Sequence, residues 1–313
     1  MPASDTRTRG AAVGPAPAPR RSPDRLGERL GLSVPHEWWP SASLLKSYEA
    51  AGFSWVQLHS PPASVLRDAR LCTRHASAAG ASLSTTGLEA VVHAPAGLRA
   101  GTRAGDRALE GLLSYAAELG TRQVVYHAQA LPDAPESEDG LLFEARSLAA
   151  LARAAERLEL TIAVENLCPL YPGPETVAAS PLSLRGLVQR IGSRGLGLCL
   201  DVGHAHVIAD LRHTHAAHLA EPVLDAVTLF HVHDNLGARW RSHPTEGSGV
   251  DPLRLDLHLP PGRGTLGWEE IAPLLADHTA PLVLEVHPPH RPRAAELFRG
   301  ARDQLLRPQA APV

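Results

Sequence analysis

Lysine is almost missing from this chain: Lys46 is the only one in 313 residues. It falls inside a helix-like pattern with Leu44, Leu45 and Tyr48, away from any strand end. A Schiff-base mechanism therefore has no good candidate. Cysteine is scarce as well. Cys72, Cys168 and Cys199 are odd in number and lack metal-type spacing. That argues against a structural thiolate zinc site and for a reduced, cytoplasmic interior. Aromatic residues make up only 4% of the chain, and no basic stripe is visible, which disfavours a surface for stacking nucleic-acid bases. A net charge of −3 argues neither way. No apolar run approaches the length of a membrane span, so no membrane role is expected. Residues 1–24 have almost no large apolar side chain and read as a disordered tail. Without an apolar h-region, that stretch is not a secretory signal. Residues 25–313 have the usual size of one α/β barrel.

What is present is a repeated pattern. Val91-Val92-His93, Val124-Val125-Tyr126-His127, Ile162-Ala163-Val164-Glu165, Leu198-Cys199-Leu200-Asp201, Leu229-Phe230-His231 and Val283-Leu284-Glu285 are short apolar runs that stop at His, Glu or Asp. Runs of this kind read as strands buried on both faces, as in a parallel sheet. Strand-like runs lie at Gly31–Val34, Trp55–Leu58, Leu88–His93, Gln123–His127, Leu160–Glu165, Gly197–Asp201, Val227–Val232 and Leu282–Val286. Helix-like runs lie between them, among them Ala63–Ala78 and Leu211–Ala220. Eight strands, each followed by a helix, predict a (β/α)8 TIM barrel, and no Gly-rich first turn suggests a doubly wound sheet. Parallel strands bring their C-terminal ends to one face, so the six terminal residues converge at the barrel mouth.

Three further pairs add to them. Asp201-Val-Gly-His204 spans a strand-to-helix turn and lets both side chains face the mouth. His231-Val-His233 and Asp256-Leu-His258 each place two residues on one face of extended chain. Mixed carboxylates and imidazoles suit a divalent Zn, Mn, Co, Fe or Mg ion. His233 lies nearer the following loop than His231 and is expected either to support a ligand from behind or to face substrate. His36 and His59 follow strands one and two and are candidates to line the pocket. His213, His215 and His218 crowd one helix and read as solvated surface. Cys199, in mid-strand, reads as core.

The segments "VVHAP", "VVYHAQ", "AVENL", "GLCLDVGHAHV", "FHVHDN", "DLHLPPGRGTLGW" and "LVLEVH" occur in order. From about Leu32 onward they resemble the xylose isomerase-like TIM-barrel superfamily, which includes sugar phosphate isomerases/epimerases and endonuclease IV. In endonuclease IV-like members the resemblance implies three metals. His93, His127 and Glu165 would hold one. Glu165, Asp201, His231 and Glu285 would hold the second, and His204, Asp256 and His258 the third. In the isomerase and epimerase branch it implies the middle site alone, with Glu165 and Glu285 as ligands and proton shuttles and His204 on a substrate oxygen. Two departures stand out. Gly262-Arg263-Gly264 replaces the family's Gly-Glu-Gly. "HAP" is followed by Ala96-Gly97 rather than the aromatic wedge with which endonuclease IV-like enzymes probe DNA.

The expected function is therefore a sugar or sugar phosphate isomerase/epimerase with one to three divalent ions, working by proton transfer through an enediolate. The alternative is an endonuclease IV-like phosphodiesterase acting on nucleic acid. A barrel that binds a sugar without turnover is a third reading, disfavoured by the paired Glu165 and Glu285. Arg263 or Arg239 would hold an anionic substrate tail. Trp240 would stack on a sugar face. The long connection Asp234–Gly267 would close as a lid. The sequence leaves homo-oligomerisation open.

Overall fold

The computed structural model describes residues 26–36, 38–128, 138–168, 177–238 and 256–306. The expected tail and the middle of the expected lid, with Arg239 and Trp240, lie outside the described residues. Eight parallel strands pair in chain order and close into a barrel, β1 meeting both β2 and β8. They are β1 Leu30–Ser33, β2 Trp55–His59, β3 Glu89–His93, β4 Gln123–His127, β5 Thr161–Glu165, β6 Leu196–Asp201, β7 Val227–Val232 and β8 Leu282–Leu284. The sequence-derived strands agree in number and order and to within two residues at each end, the usual scatter of such boundaries. Among the described residues, no helix is long and apolar enough to cross a membrane.

The strands carry two sets of apolar side chains. Outward-facing residues pack under the helices with Tyr115, Tyr126, Phe230, Leu112 and Leu148, all at most 1% exposed. Inward-facing Val91, Val125, Ala163, Cys199, Leu229 and Val283 form a separate, fully buried floor inside the barrel, with Trp55 against it. Side chains alternate along a strand, so the residue two places on faces inward again, one layer higher. Those positions are Gln57, His93, His127, Glu165, Asp201, His231 and Glu285. An apolar floor thus carries a polar ring. Cys199 belongs to the floor, as the sequence suggested.

Two helical expectations change. The run Ala63–Ala78 is broken into α1 Ala63–Leu66 and α2 Ala69–Leu83, because the Asp68 carboxylate accepts the Arg70 and Leu71 N–H groups and starts a new helix. The run Leu211–Ala220 is likewise not one helix. α3 Val202–Leu211 begins directly after Asp201, and α4 Ala216–Ala220 follows a break at His213, whose φ is 53°. α3 escapes periodicity because Val202, Gly203, His204, Ala205, Val207, Ile208 and Ala209 are all buried, so it lacks a polar face.

The connection after β7 is fastened by Asp234. Its buried carboxylate accepts from the N–H groups of Asn235 (2.9 Å), Leu266 (3.1 Å) and Gly262 (3.0 Å), and from Trp268 Nε1 (2.9 Å). Asn235 adds bonds to Leu257 N and Gly203 O at 2.6 and 3.1 Å. Together they seat the segment that carries Asp256 and His258. Asp234→Asn would turn an NH2 group toward two of those donors. The expected cost is about 2–5 kcal/mol in urea unfolding. A loss under about 0.5 kcal/mol, the range of neutral surface changes, would show that Asp234 does not hold this segment.

Candidate metal centre

Four histidines at the barrel mouth, His93, His204, His231 and His258, are each anchored through one ring nitrogen. His93 Nδ1 donates to Ala94 O at 2.7 Å, which leaves Nε2 bare toward His127 Nε2 (3.1 Å) and Glu165 Oε2 (3.3 Å). His127 Nε2 lies 3.1 Å from the same oxygen. His204 Nδ1 donates to Asn166 O at 2.8 Å, and Nε2 faces Asp256 Oδ2 at 3.4 Å. His258 Nδ1 donates to Glu285 O at 3.0 Å, and Nε2 faces Asp256 Oδ2 at 2.9 Å. In His231 the roles reverse: Nε2 donates to Gln57 Oε1 at 2.7 Å. Nδ1 then faces Glu165 Oε1 (3.0 Å), Glu285 Oε2 (3.6 Å) and Asp201 Oδ2 (3.8 Å). Anchoring one ring nitrogen so that the other presents a lone pair is how proteins orient metal-binding imidazoles.

The resulting groups are His93–His127–Glu165, Glu165–Asp201–His231–Glu285 and His204–His233–Asp256–His258, with Glu165 shared between the first two. Each brings one ligand atom per residue into a small common volume. Ligands about 2.0–2.2 Å from one ion stand about 3.0–3.5 Å apart, and most separations here lie in or near that range. Glu165 Oε2 and Asp256 Oδ1 are buried without a hydrogen bond. These three groups offer oxygen and imidazole nitrogen; a fourth grouping, Glu165–Cys199–His231, adds the buried Cys199 thiol of the floor. The residues present therefore fit a divalent cation.

Local backbone makes the geometry possible. Asp201 ends β6 and caps α3, its Oδ1 accepting His204 N at 2.7 Å and leaving Oδ2 for the ring. Gly203 is required, because a Cβ there would stand 2.2 Å from His233 Cε1. His258 has φ 48°, a left-handed conformation that non-glycine residues seldom adopt and that often marks functional segments. Its ring is sandwiched between His233 (3.9 Å) and His287 (4.2 Å).

Charge follows the geometry. Burial drives His204 and His231 toward neutrality, but Asp201 and Asp256 hold the first, and Cys199, Glu285 and Glu165 the second, well above an ordinary imidazole. Burial also opposes charge on His258, yet Asp256 raises it to about 9. Burial would raise Glu165 and Asp256, but the facing imidazoles hold both well below the usual carboxylate range. Glu285 lies at about 2, burial being outweighed chiefly by His231.

Above the ring opens a cavity of about 360 Å³ lined by His93, His127, Glu165, His204, Asp256, His258 and Glu285. His36, His59, His287 and Arg291 also line it. The structure thus brings together every residue expected to bind metal. His36 and His59 line the cavity, and His213, His215 and His218 are exposed on the surface. His233 is fully buried with Nε2 3.0 Å from Asp201 Oδ2, so it supports a candidate ligand, the first of the two expectations for it. Arg263 is exposed and lines a different hollow, with Leu236, Pro260 and His290, because the Gly262 turn is drawn down onto Asp234. Sequence reasoning missed Gln57, Ser33 and Asn166. The period-two rule applied to all eight strands, rather than to ligand-type residues alone, would have found the first two.

Protein stripped of metal should be most stable near pH 6.5. His258, raised from 6.5 to about 9, contributes fully below pH 6.5 and loses that contribution as pH rises through 9; His204 and His231 act in the same direction. Glu285 contributes above pH 4.5 and loses its contribution as pH falls toward 2. His59, pushed down to about 4 by burial and His93, contributes above pH 6.5 and loses that as pH falls through 4. Thermal unfolding of chelator-treated protein should show the midpoint falling between pH 6.5 and 9.5. Saturating Zn²⁺ or Mn²⁺ should flatten that alkaline limb by replacing the protons. A flat midpoint without metal would contradict the charged imidazoles.

The profile of the xylose isomerase-like TIM-barrel family matches residues 45–305. Among curated proteins no significant sequence match was found. Solved structures share the fold at low identity. A D-tagatose 3-epimerase-like protein aligns with TM-score 0.67 and 21% identity over 89% of this chain and 97% of its own. The 3-keto-D-glucoside 4-epimerase of E. coli aligns with TM-score 0.61 and 18% identity over 88% and 97%. A D-psicose 3-epimerase, solved in the presence of D-fructose, aligns with TM-score 0.61 and 14% identity over 88% and 96%. At these identities the structural likeness establishes the fold; the family match carries the assignment, and the chain belongs to the xylose isomerase-like TIM-barrel family.

Proposed function

We propose that this protein is a divalent-metal-dependent isomerase or epimerase of a small sugar-like substrate that carries a carbonyl beside a hydroxyl. The observation that carries this reading is the Glu165–Asp201–His231–Glu285 group, which brings two carboxylates from β5 and the end of β8 against one imidazole below a cavity of about 360 Å³. Glu165, Asp201, His231 and Glu285 would hold the cation, which would polarise adjacent carbonyl and hydroxyl oxygens and acidify the carbon–hydrogen bond between them. One of Glu165 and Glu285 removes that proton to give the substrate's enediolate. The other returns one, to the neighbouring carbon in isomerisation or to the opposite face in epimerisation. His204 and His258 line the cavity and would offer hydrogen bonds to substrate oxygens. The relatives named as tagatose, psicose and keto-glucoside epimerases support a ketose or keto-sugar substrate. A sugar phosphate tail finds no partner in Arg263, which sits in another hollow. Trp240 and the closing role of the loop Asp234–Gly267 remain part of the proposal on sequence grounds alone.

One observation favours a second reading. The two outer groups, His93–His127–Glu165 and His204–His233–Asp256–His258, are as compact as the middle one. Three ions so placed would suit an endonuclease IV-like phosphodiesterase, in which the metals supply hydroxide and neutralise phosphate charge. The Ala96-Gly97 sequence and the scarcity of aromatics weigh against a DNA substrate.

Glu165→Gln and Glu285→Gln are each expected to lower kcat at least about 10³-fold on a ketose panel, since each removes an acid/base group and a ligand charge. Asp201→Asn and His231→Ala should mainly weaken metal binding. Near wild-type turnover by either Gln variant at saturating metal would remove the proton-shuttle assignment.

Metal content separates the two readings. Protein purified without chelator should hold about one tightly bound ion per chain if the middle group acts alone, and Asp256→Ala should keep that ion while raising KM. About three ions, most of them lost in Asp256→Ala, together with hydrolysis of an abasic-site oligonucleotide, would establish the phosphodiesterase instead.

A further inference from the structure

One member of the polar ring is neither acid nor imidazole. Gln57, on β2, is fully buried and bridges two ring residues that are remote in sequence. Its Oε1 accepts the His231 Nε2 proton at 2.7 Å. Its Nε2 donates to Glu285 Oε1 and also faces Ser33 Oγ at 3.4 Å. Ser33 Oγ in turn lies 3.5 Å from His59 Nε2, on the cavity wall. These partners leave the amide one orientation. Turned over, it would set NH2 against the imidazole N–H and its carbonyl against a carboxylate.

Two consequences follow at the ring. With the proton committed to Nε2, His231 must present the Nδ1 lone pair toward Glu165, Asp201 and Glu285. With Oε1 engaged, Glu285 turns Oε2 toward His231 Nδ1 (3.6 Å) and His258 Nδ1 (3.8 Å). An acid at position 57 would also accept from His231, but it would set a second carboxylate against Glu285. An apolar residue would leave the His231 N–H unpaired in a dry space. The carboxamide alone donates on one side, accepts on the other and adds no charge.

We propose that Gln57 is a positioning residue for a divalent cation held by Glu165, Asp201, His231 and Glu285: it fixes the His231 tautomer and one oxygen of Glu285. This rests on the metal-dependent reading of the site. Removing a contact of this kind is expected to weaken metal binding about 10–100-fold.

Co²⁺ binding to the chelator-treated full chain, followed by visible absorption and by competition with a chromophoric chelator, tests it. Gln57→Met, close in volume, should weaken Co²⁺ binding at least about tenfold and shift the d–d absorption, while far-UV circular dichroism shows the metal-free protein folded. In a His231→Ala background the same substitution should cost clearly less, because part of its path is already gone. Equal losses in both backgrounds would mean a merely structural role and overturn the proposal. So would unchanged Co²⁺ affinity and spectrum in folded Gln57→Met. Should that variant not fold, Gln57→Asn, a methylene too short for both contacts, carries the same expectation. Wild-type protein that binds no Co²⁺ would remove the metal reading itself, and Gln57 with it. Co²⁺ bound by wild type and equally by the variants would remove only Gln57.

Discussion

Everything at the mouth of this barrel answers to one constraint: buried negative charge must be balanced. Glu165, Asp201, Asp256 and Glu285 crowd into one space with His93, His204, His231 and His258. Glu165 is 1% exposed and Asp201 is not exposed at all. A lone buried carboxylate costs several kcal/mol of lost hydration, and neighbouring carboxylates repel one another as well. Protonated imidazoles can supply the balance, and the raised His204, His231 and His258 show that these carboxylates call for it. A divalent cation supplies it more fully, since it meets lone pairs on both ligand types at once. Proton and metal would thus compete for the same atoms, and affinity for a cation would be tied to pH.

The scaffold serves that constraint at a distance. The apolar floor of Val91, Val125, Ala163, Cys199, Leu229 and Val283 keeps water from below. Backbone carbonyls of Ala94, Asn166 and Glu285 fix the far nitrogens of three imidazoles, so their near nitrogens are oriented before any ligand arrives. Asn166 does more than offer a carbonyl. Its side chain exchanges two hydrogen bonds with the Asp201 backbone, at 2.8 and 3.0 Å, and so locks β5 to β6 where both carboxylates emerge. Preorganised charge of this sort needs no rearrangement during reaction.

How much of this the chain declares on its face varies with the kind of signal. The strands are legible because each is an apolar run closed by a polar residue, and the ligand-type residues are legible because His, Asp and Glu seldom end such runs together. Gln57 is not legible that way, since a glutamine at the middle of "WVQLH" carries no metal-binding signature. Only closure of the barrel, which brings β2 beside β1 and across from β7 and β8, reveals its partners. α3 was hidden for a different reason: burial on every face erases the 3.6-residue rhythm. Arg263 looked like a pocket residue because of its place next to "DLHLPPG". A hydrogen bond from Gly262 N to Asp234 turns that stretch into a tight bend and sends the guanidinium to another hollow. Short-range pattern finds what a residue is, whereas long-range hydrogen bonds decide where it points.

The three ligand groups also differ in what holds them, and that difference bears on what the site can do. His93, His127, Glu165, Asp201 and His231 stand on strands of a closed barrel, where backbone displacement would break pairing on both sides. Asp256 and His258 stand on a connection, seated by Asp234 and Asn235 and strained at His258, with His233 and His287 stacked on the ring. These strand-borne ligands are therefore stiff, with Glu285 one residue past the end of β8, whereas Asp256 and His258 depend on how a loop is held. A stiff pair of carboxylates suits proton transfer, where donor and acceptor must stay within hydrogen-bond reach of a carbon throughout the reaction. A loop-borne carboxylate and imidazole suit recognition, because their position can differ between members of a fold while the strand-borne centre stays fixed. Under the proposed function, this difference would divide the labour: chemistry at Glu165 and Glu285, and choice of substrate at Asp256, His258 and the segment that carries them.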